Sequence, residues 1–346
     1  MTSRSRFALG LASALWVTAI AAPTVAAPAA SPASTAAAGA PEPIHSRGGE
    51  PIIPLGQVRA GMKGYGLTVF QGTRPERFDV EVIGVLHNFL PKQDIILIRS
   101  DDPRLLHSGI VAGMSGSPIY LQGRLAGALA YGWAFAKDPI AGVTPIESMM
   151  AELKRPLRGR AATPMAEAAL EPSRRRSLDD VIDAREKERR DQPLLSRFPL
   201  PPRLLDGAEP RLERAAVPLS LAGFGASAFA AFEEALKPFH MMPLAAGGAA
   251  PKNAGGPTHF EPGGSIAVEL VRGDVSAAGT GTVTRVEGSK VLAFGHPMFN
   301  VGEIYLPIAT AEVHTFLSAL NTSFKIASPL REIGSLEQDR QSCIIG

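Results

Sequence analysis

Apolar runs in this chain are short and broken by glycine. Residues 65–70, 78–86, 94–99, 119–121 and 125–131 follow one another in this way, and 266–271, 281–285 and 291–294 repeat the pattern later. Runs this short, bounded by turn formers, build strands and not long helices. The 35 glycines and 30 prolines supply the turns, and aromatic residues make up only 6% of the chain. Phe78-Asp79-Val80-Glu81-Val82 alternates apolar and polar, as a half-buried strand does. Ile95-Ile96-Leu97-Ile98 is continuously apolar and is expected to be buried on both faces. Gln122-Gly123 and Glu287-Gly288-Ser289 have the chemistry of hairpin turns. Short helices are expected at 226–236 and from Thr144 to about Lys154, with Thr144 as N-cap and Pro145 at N1.

The chain divides along its composition. Arg4 and Arg6 precede an apolar run over 7–22, and Thr24-Val25-Ala26 precedes Ala27. This is the layout of a secretory signal peptide over 1–26, cleaved near Ala26. The body is therefore expected in the periplasm or outside the cell, and membrane association would need an uncleaved signal segment. Residues 27–53 are Ala/Pro-rich and read as a disordered tether. Residues 54–154 and 218–346 carry the strands. Between them, residues 155–217 form a charged, partly helical linker, with Arg174-Arg175-Arg176 and Arg185-Glu186-Lys187-Glu188-Arg189-Arg190. The chain stops at Cys343-Ile344-Ile345-Gly346 inside an apolar run, as expected of a fragment truncated at its C-terminus.

Composition excludes several functions. The net charge is +2, and acidic residues interleave the basic clusters, so no nucleic-acid partner is expected. The lone cysteine, Cys343, permits no internal disulfide and no thiolate metal cluster. His296/Glu303 and Glu312/His314 lack metal-ligand spacing, and Gly61-Met62-Lys63-Gly64-Tyr65-Gly66 lacks the ending of a phosphate loop. No cofactor and no metal are expected.

One loop carries nucleophile chemistry. In Gly113-Met114-Ser115-Gly116-Ser117-Pro118 the glycines allow a backbone that exposes the serine hydroxyl and gathers N–H groups into one concavity. Such N–H groups, here those of Gly113 and Ser115, can form an oxyanion hole. Alone, Gly-x-Ser-Gly also fits an ordinary turn. The surroundings add to it. Asp102-Pro103-Arg104-Leu105-Leu106, Gly109 through Ile119, Gly123-Arg124-Leu125-Ala126-Gly127-Ala128, Asp138-Pro139, Ile146-Glu147 and Arg77 through Val82 closely resemble the SpoIVB (sporulation protein IV B) serine peptidase family. Ala278-Gly279-Thr280-Gly281-Thr282-Val283-Thr284 and Ala293-Phe294-Gly295-His296-Pro297 resemble a second block of that family.

The resemblance implies chymotrypsin-like β-barrel halves and serine-type hydrolysis of a protein or peptide substrate. By match, Ser115 is the nucleophile, His296 the general base and Asp102 the third member, 13 residues before the serine. The order departs from the family, which places its histidine block before its serine block, behind a PDZ domain. Here the histidine follows the serine by about 180 residues. Seven histidines are present, and His87 and His107 compete for the base role from within the first zone. The expected function is an exported serine endopeptidase of cell-envelope proteins. The alternative is a non-catalytic relative whose sheet edge binds a peptide, or a structural module of the envelope.

Overall fold

A computed structural model describes residues 50–133, 136–157, 212–236, 239–245 and 255–346. The signal segment, most of the tether and residues 158–211 of the charged linker lie outside the described residues. The fold is mainly β, with a few short helices, as the spacing of the apolar runs predicts.

The first sheet closes on itself. Strands β1 (Lys63–Thr68), β2 (Glu76–Leu90), β3 (Gln93–Ser100), β4 (Pro118–Leu121), β5 (Arg124–Trp133) and β6 (Ile140–Pro145) pair in the order β4-β1-β2-β3-β6-β5, and β4 pairs back to β5. Phe78, Val80 and Val82 point into this barrel, as their alternation requires. Ile96 and Ile98 join the same core while Ile95 packs with Tyr131, so this strand is buried on both faces. The β4–β5 hairpin turns at Gln122 and Gly123, both at positive φ (52° and 72°). Helix α1 (Pro103–Ser108) lies between β3 and the serine loop, and α2 (Ile146–Leu153) follows β6. Glu50 through Ile53 do not belong to a tether. Ile53 N–H donates to Leu125 O, Leu125 N–H donates to Pro51 O, and Ile53 is buried.

The second sheet closes in the same way. Strands β10 (Ser265–Val271), β11 (Ser276–Glu287), β12 (Lys290–Ala293), β13 (Gly302–Leu317), β14 (Phe324–Arg340) and β15 (Cys343–Ile345) run in the order β10-β13-β14-β15-β12-β11, and β10 pairs with β11. Outside the ring, β8 (Val217–Ala222) pairs with β11 and β9 (Met241–Leu244) with β8, while α3 (Ala226–Leu236) connects β8 to β9. The short β7 (Leu212–Arg214), inside the segment read as linker, adds to β5 of the first barrel.

The two barrels share an apolar seam. Tyr120, Leu125, Ala128, Ile146 and Met149 from the first pack with Leu292, Cys343 and Ile345 from the second. The Cys343 thiol is buried there, and burial pushes its pKa up. Backbone bridges cross the seam from Gly72 to Val313 and from Ala112 to Phe324. No helix among the described residues is long and apolar enough to cross a membrane.

Candidate active site

The serine loop lies between α1 and β4, at the seam. Gly113 and Gly116 adopt φ of 95° and 96°, framing Met114 and Ser115. At Gly116 glycine is required twice over. The backbone is left-handed, and a Cβ would stand 1.9 Å from Thr282 O and 2.5 Å from Phe294 N. The loop's carbonyls are tied to β11 of the other barrel. Thr282 Oγ1 donates to Gly113 O (3.0 Å), Thr282 N–H to Ser115 O (2.8 Å) and Thr284 Oγ1 to Gly116 O (2.8 Å). On the home side, Gly116 N–H donates to Leu129 O at 2.7 Å. The N–H groups of Gly113 and Ser115 donate to no described residue. Ser115 has 0% exposure, and its Oγ has no hydrogen-bond partner among the described residues.

The histidine turn follows β12. Phe294 and Gly295 both have φ of 69°. For phenylalanine this is strained by on the order of 1–3 kcal/mol, a strain that persists only where surroundings enforce it. The surroundings here are visible. The Phe294 ring covers Gly281, where a Cβ would lie 2.2 Å from the ring. Thr144 Oγ1 donates to Gly295 O at 2.6 Å. That bond corrects the expected helix cap: Pro145 is the N-cap of α2 and no side chain caps the helix. Beyond His296, the buried Asp339 carboxylate accepts the N–H groups of Met298 (2.8 Å), Phe299 (2.6 Å) and Asn300 (2.8 Å).

His296 is buried, and its Nδ1 lies 2.8 Å from Pro297 O. A carbonyl can only accept, so Nδ1 carries the proton and Nε2 is the bare nitrogen. Nε2 has no partner. Burial holds the imidazole pKa down to about 4, so it is neutral at pH 7. The two turns meet through Gly116, which packs against Thr282 O and Phe294 N, and through Gly295, which packs on Ala128 and Ala130. The fold therefore brings the serine loop and the histidine turn to one seam, in this chain order and with both polar atoms unpaired. No hydrogen bond joins Ser115 Oγ to His296 Nε2.

Asp102 stands elsewhere. It is the N-cap of α1, accepts from Arg104 N–H (2.9 Å), and is held by the Arg104 guanidinium at 2.9 Å. Partial burial raises its pKa, but the bonds from Arg104 outweigh that and leave it lowered. It does not orient His296, whose Nδ1 proton goes to the Pro297 carbonyl. The competing histidines are placed elsewhere too: exposed His87 pairs with Asp94, and His107 sits in the last turn of α1.

Two buried ionisable side chains beside these turns were not visible in the sequence. Asp339 is one. The other is Lys325, whose Nζ donates to Thr68 Oγ1 at 2.8 Å and whose stem packs against Gly113. Burial holds its pKa down to about 7. Nothing local marks either as buried, because the cover comes from strands distant in sequence. A cleft of about 340 Å³ opens beside the loop, lined by Ile110, Ala112, Trp133, Arg214 and His240 among others. Among the described residues no group of three or more His, Cys, Asp or Glu could hold a metal ion.

The family model described as SpoIVB peptidase S55 matches residues 50–150. That segment, about 100 of the 346 residues, is similar to the SpoIVB peptidase family. The match suggests serine-type peptidase chemistry, which is hydrolysis of a protein or peptide. The SpoIVB match spans the whole first barrel and the serine loop, and the histidine turn lies outside it. A search of curated proteins and a search of solved structures give no match.

Proposed function

We propose that this protein is an exported serine endopeptidase acting on cell-envelope proteins, with Ser115 as nucleophile and His296 as general base. The observation that carries the reading is a complementary pair of orphans at the barrel seam. A buried hydroxyl able to donate and a buried imidazole nitrogen able only to accept both lack partners, although buried polar groups are nearly always satisfied. Export rests on the charged, then apolar, then small-residue order of residues 1–26.

In this reading Ser115 Oγ attacks the scissile carbonyl while its proton passes to His296 Nε2. The carbonyl π pair moves onto oxygen, where the free N–H groups of Gly113 and Ser115 receive it. Collapse of the tetrahedral adduct breaks the C–N bond, and His296 returns the proton to the leaving amine. Water repeats the sequence to release the acyl group. Ser115 is closed off in the form described here, with Pro218 and Lys325 against Gly113, so an opening movement must precede substrate entry.

Fluorophosphonate labelling of wild type, Ser115→Ala and His296→Ala tests this. Labelling is expected in wild type, to vanish with Ser115→Ala, and to fall by about 10²-fold or more with His296→Ala. Labelling that survives Ser115→Ala overturns the nucleophile. No labelling of wild type, with or without an added peptide, favours a non-catalytic peptide-binding module.

A further inference from the structure

The Pro297–Met298 peptide unit is bonded at both ends. Its C=O accepts the His296 Nδ1 proton at 2.8 Å, and its N–H donates to Asp339 Oδ1 at 2.8 Å. The second carboxylate oxygen accepts from Phe299 and Asn300. Accepting N–H donors on both oxygens is the geometry of an ionised carboxylate. Burial raises the Asp339 pKa, and the backbone N–H groups offset only part of that rise. This carboxylate has 0% exposure, and its bonds go to one turn, the turn that begins at His296.

From this geometry we infer that Asp339 is the positioning residue of the histidine, acting across one peptide bond: carboxylate, peptide, imidazole. The inference rests on the proposed role of His296. Two physical effects run along the relay. First, three charge-assisted bonds fix the 298–300 turn and hence the Pro297 carbonyl. Second, a carboxylate on the N–H of an amide draws electron density toward its oxygen, and bonds in such a chain strengthen one another. The carbonyl thereby becomes a stronger acceptor for Nδ1–H. Both effects select the tautomer with Nε2 bare, the form that can take the Ser115 proton. As an imidazolium forms during attack, the carbonyl faces the developing charge directly and Asp339 faces it through the peptide. In a Ser-His-Asp triad the aspartate does this by touching the imidazole; here a peptide unit stands between them, and Asp102 is not needed.

The test has two parts on the full chain. In ¹⁵N-histidine-labelled wild type, imidazole correlation spectra at pH 7 are expected to show His296 as the Nδ1–H tautomer. An Nε2–H tautomer in wild type overturns the inference without any variant. Asp339→Asn is then compared with wild type. It keeps one acceptor oxygen but sets an NH₂ against the turn, and is expected to mix the His296 tautomers and slow fluorophosphonate labelling by about 10-fold or more at unchanged Ser115 dependence. Folded Asp339→Asn with an unchanged tautomer and rate also overturns it. If Asp339→Asn does not fold, the wild-type tautomer decides. Failure of the proposed peptidase reading looks different: labelling is then absent or independent of Ser115 and His296, whatever the tautomer.

Discussion

The serine loop and the histidine turn reach the same end by different means. The loop bends at two glycines, Gly113 and Gly116, so its backbone carries no side-chain strain. The turn bends at a phenylalanine and one glycine, and the phenylalanine must be held. Each is braced by the opposite barrel: Thr282 and Thr284 of the second hold the loop, and Thr144 of the first holds Gly295. A site built by such exchange belongs to neither barrel. The two turns meet at the seam, although about 180 residues of chain separate them.

The strongest break in this comparison is Gly116→Ala. The new methyl has no room between Thr282 O and Phe294 N, both of which are backbone, and the residue would keep a left-handed φ. Destabilisation is expected to exceed about 5 kcal/mol, the range reserved for severe core strain. Gly295→Ala shares the left-handed φ, but its Cβ would meet mainly the Ala128 and Ala130 methyls, at 2.8 and 3.1 Å. A smaller loss, of about 2–3 kcal/mol, is expected there. Thermal melts of the two variants give the order; a Gly295→Ala loss equal to or above that of Gly116→Ala refutes it.

The buried titratable groups divide between the turns as well. Lys325 lies against the loop with its pKa lowered from 10.5 to about 7. Between those values the unfolded chain holds a proton that the folded one lacks, so stability rises as pH goes from 7 toward 10.5. The rise amounts to ~4 kcal/mol. Lys325→Met is expected to flatten it and to be more stable than wild type at pH 7. His296 acts in the acid range. Its pKa falls from 6.5 to about 4, so its contribution is complete above 6.5 and lost as pH falls toward 4, by ~3 kcal/mol. Denaturant midpoints across pH, each compared with Lys325→Met or His296→Ala, measure both. A wild-type profile parallel to its variant would remove that group from the account.

These residues also mark how far the sequence could be read. The strands, the Gln122-Gly123 hairpin and the helix at 226–236 depend on neighbours in the chain, and their periodicity and turn chemistry announce them. The turn around Ser115 announces itself by its two glycines, both at positive φ. Thr144 shows where such reading stops. Before Pro145 it has the local chemistry of an N-cap, yet its hydroxyl goes to a carbonyl 151 positions away. Asp102 misleads in the opposite way: it matches a family position while its carboxylate answers to Arg104 two residues on. Lys325 and Asp339 are ordinary charges on strands until the first barrel covers one and the second barrel's own turn covers the other. Burial of a charge is a property of packing, and no window of sequence contains it.

The smallest expected effect is the most direct test of cross-bracing. Thr284→Val removes the donor to Gly116 O, and Thr144→Val removes the donor to Gly295 O. Each leaves a buried carbonyl short of one bond at about 1–2 kcal/mol. The two threonines sit on opposite barrels and do not bond each other. Their loop and turn touch, however, where Gly116 packs on Phe294 N. If the barrels merely abut, a double-mutant cycle is additive within about 0.5 kcal/mol. If the loop and the turn form one mutually supported unit, loosening the first removes part of what the second brace was holding. The double variant then loses less than the sum, with a coupling above ~0.5 kcal/mol. An additive cycle would mean that each turn stands on its own barrel, and the seam would be a contact surface and not the framework of the site.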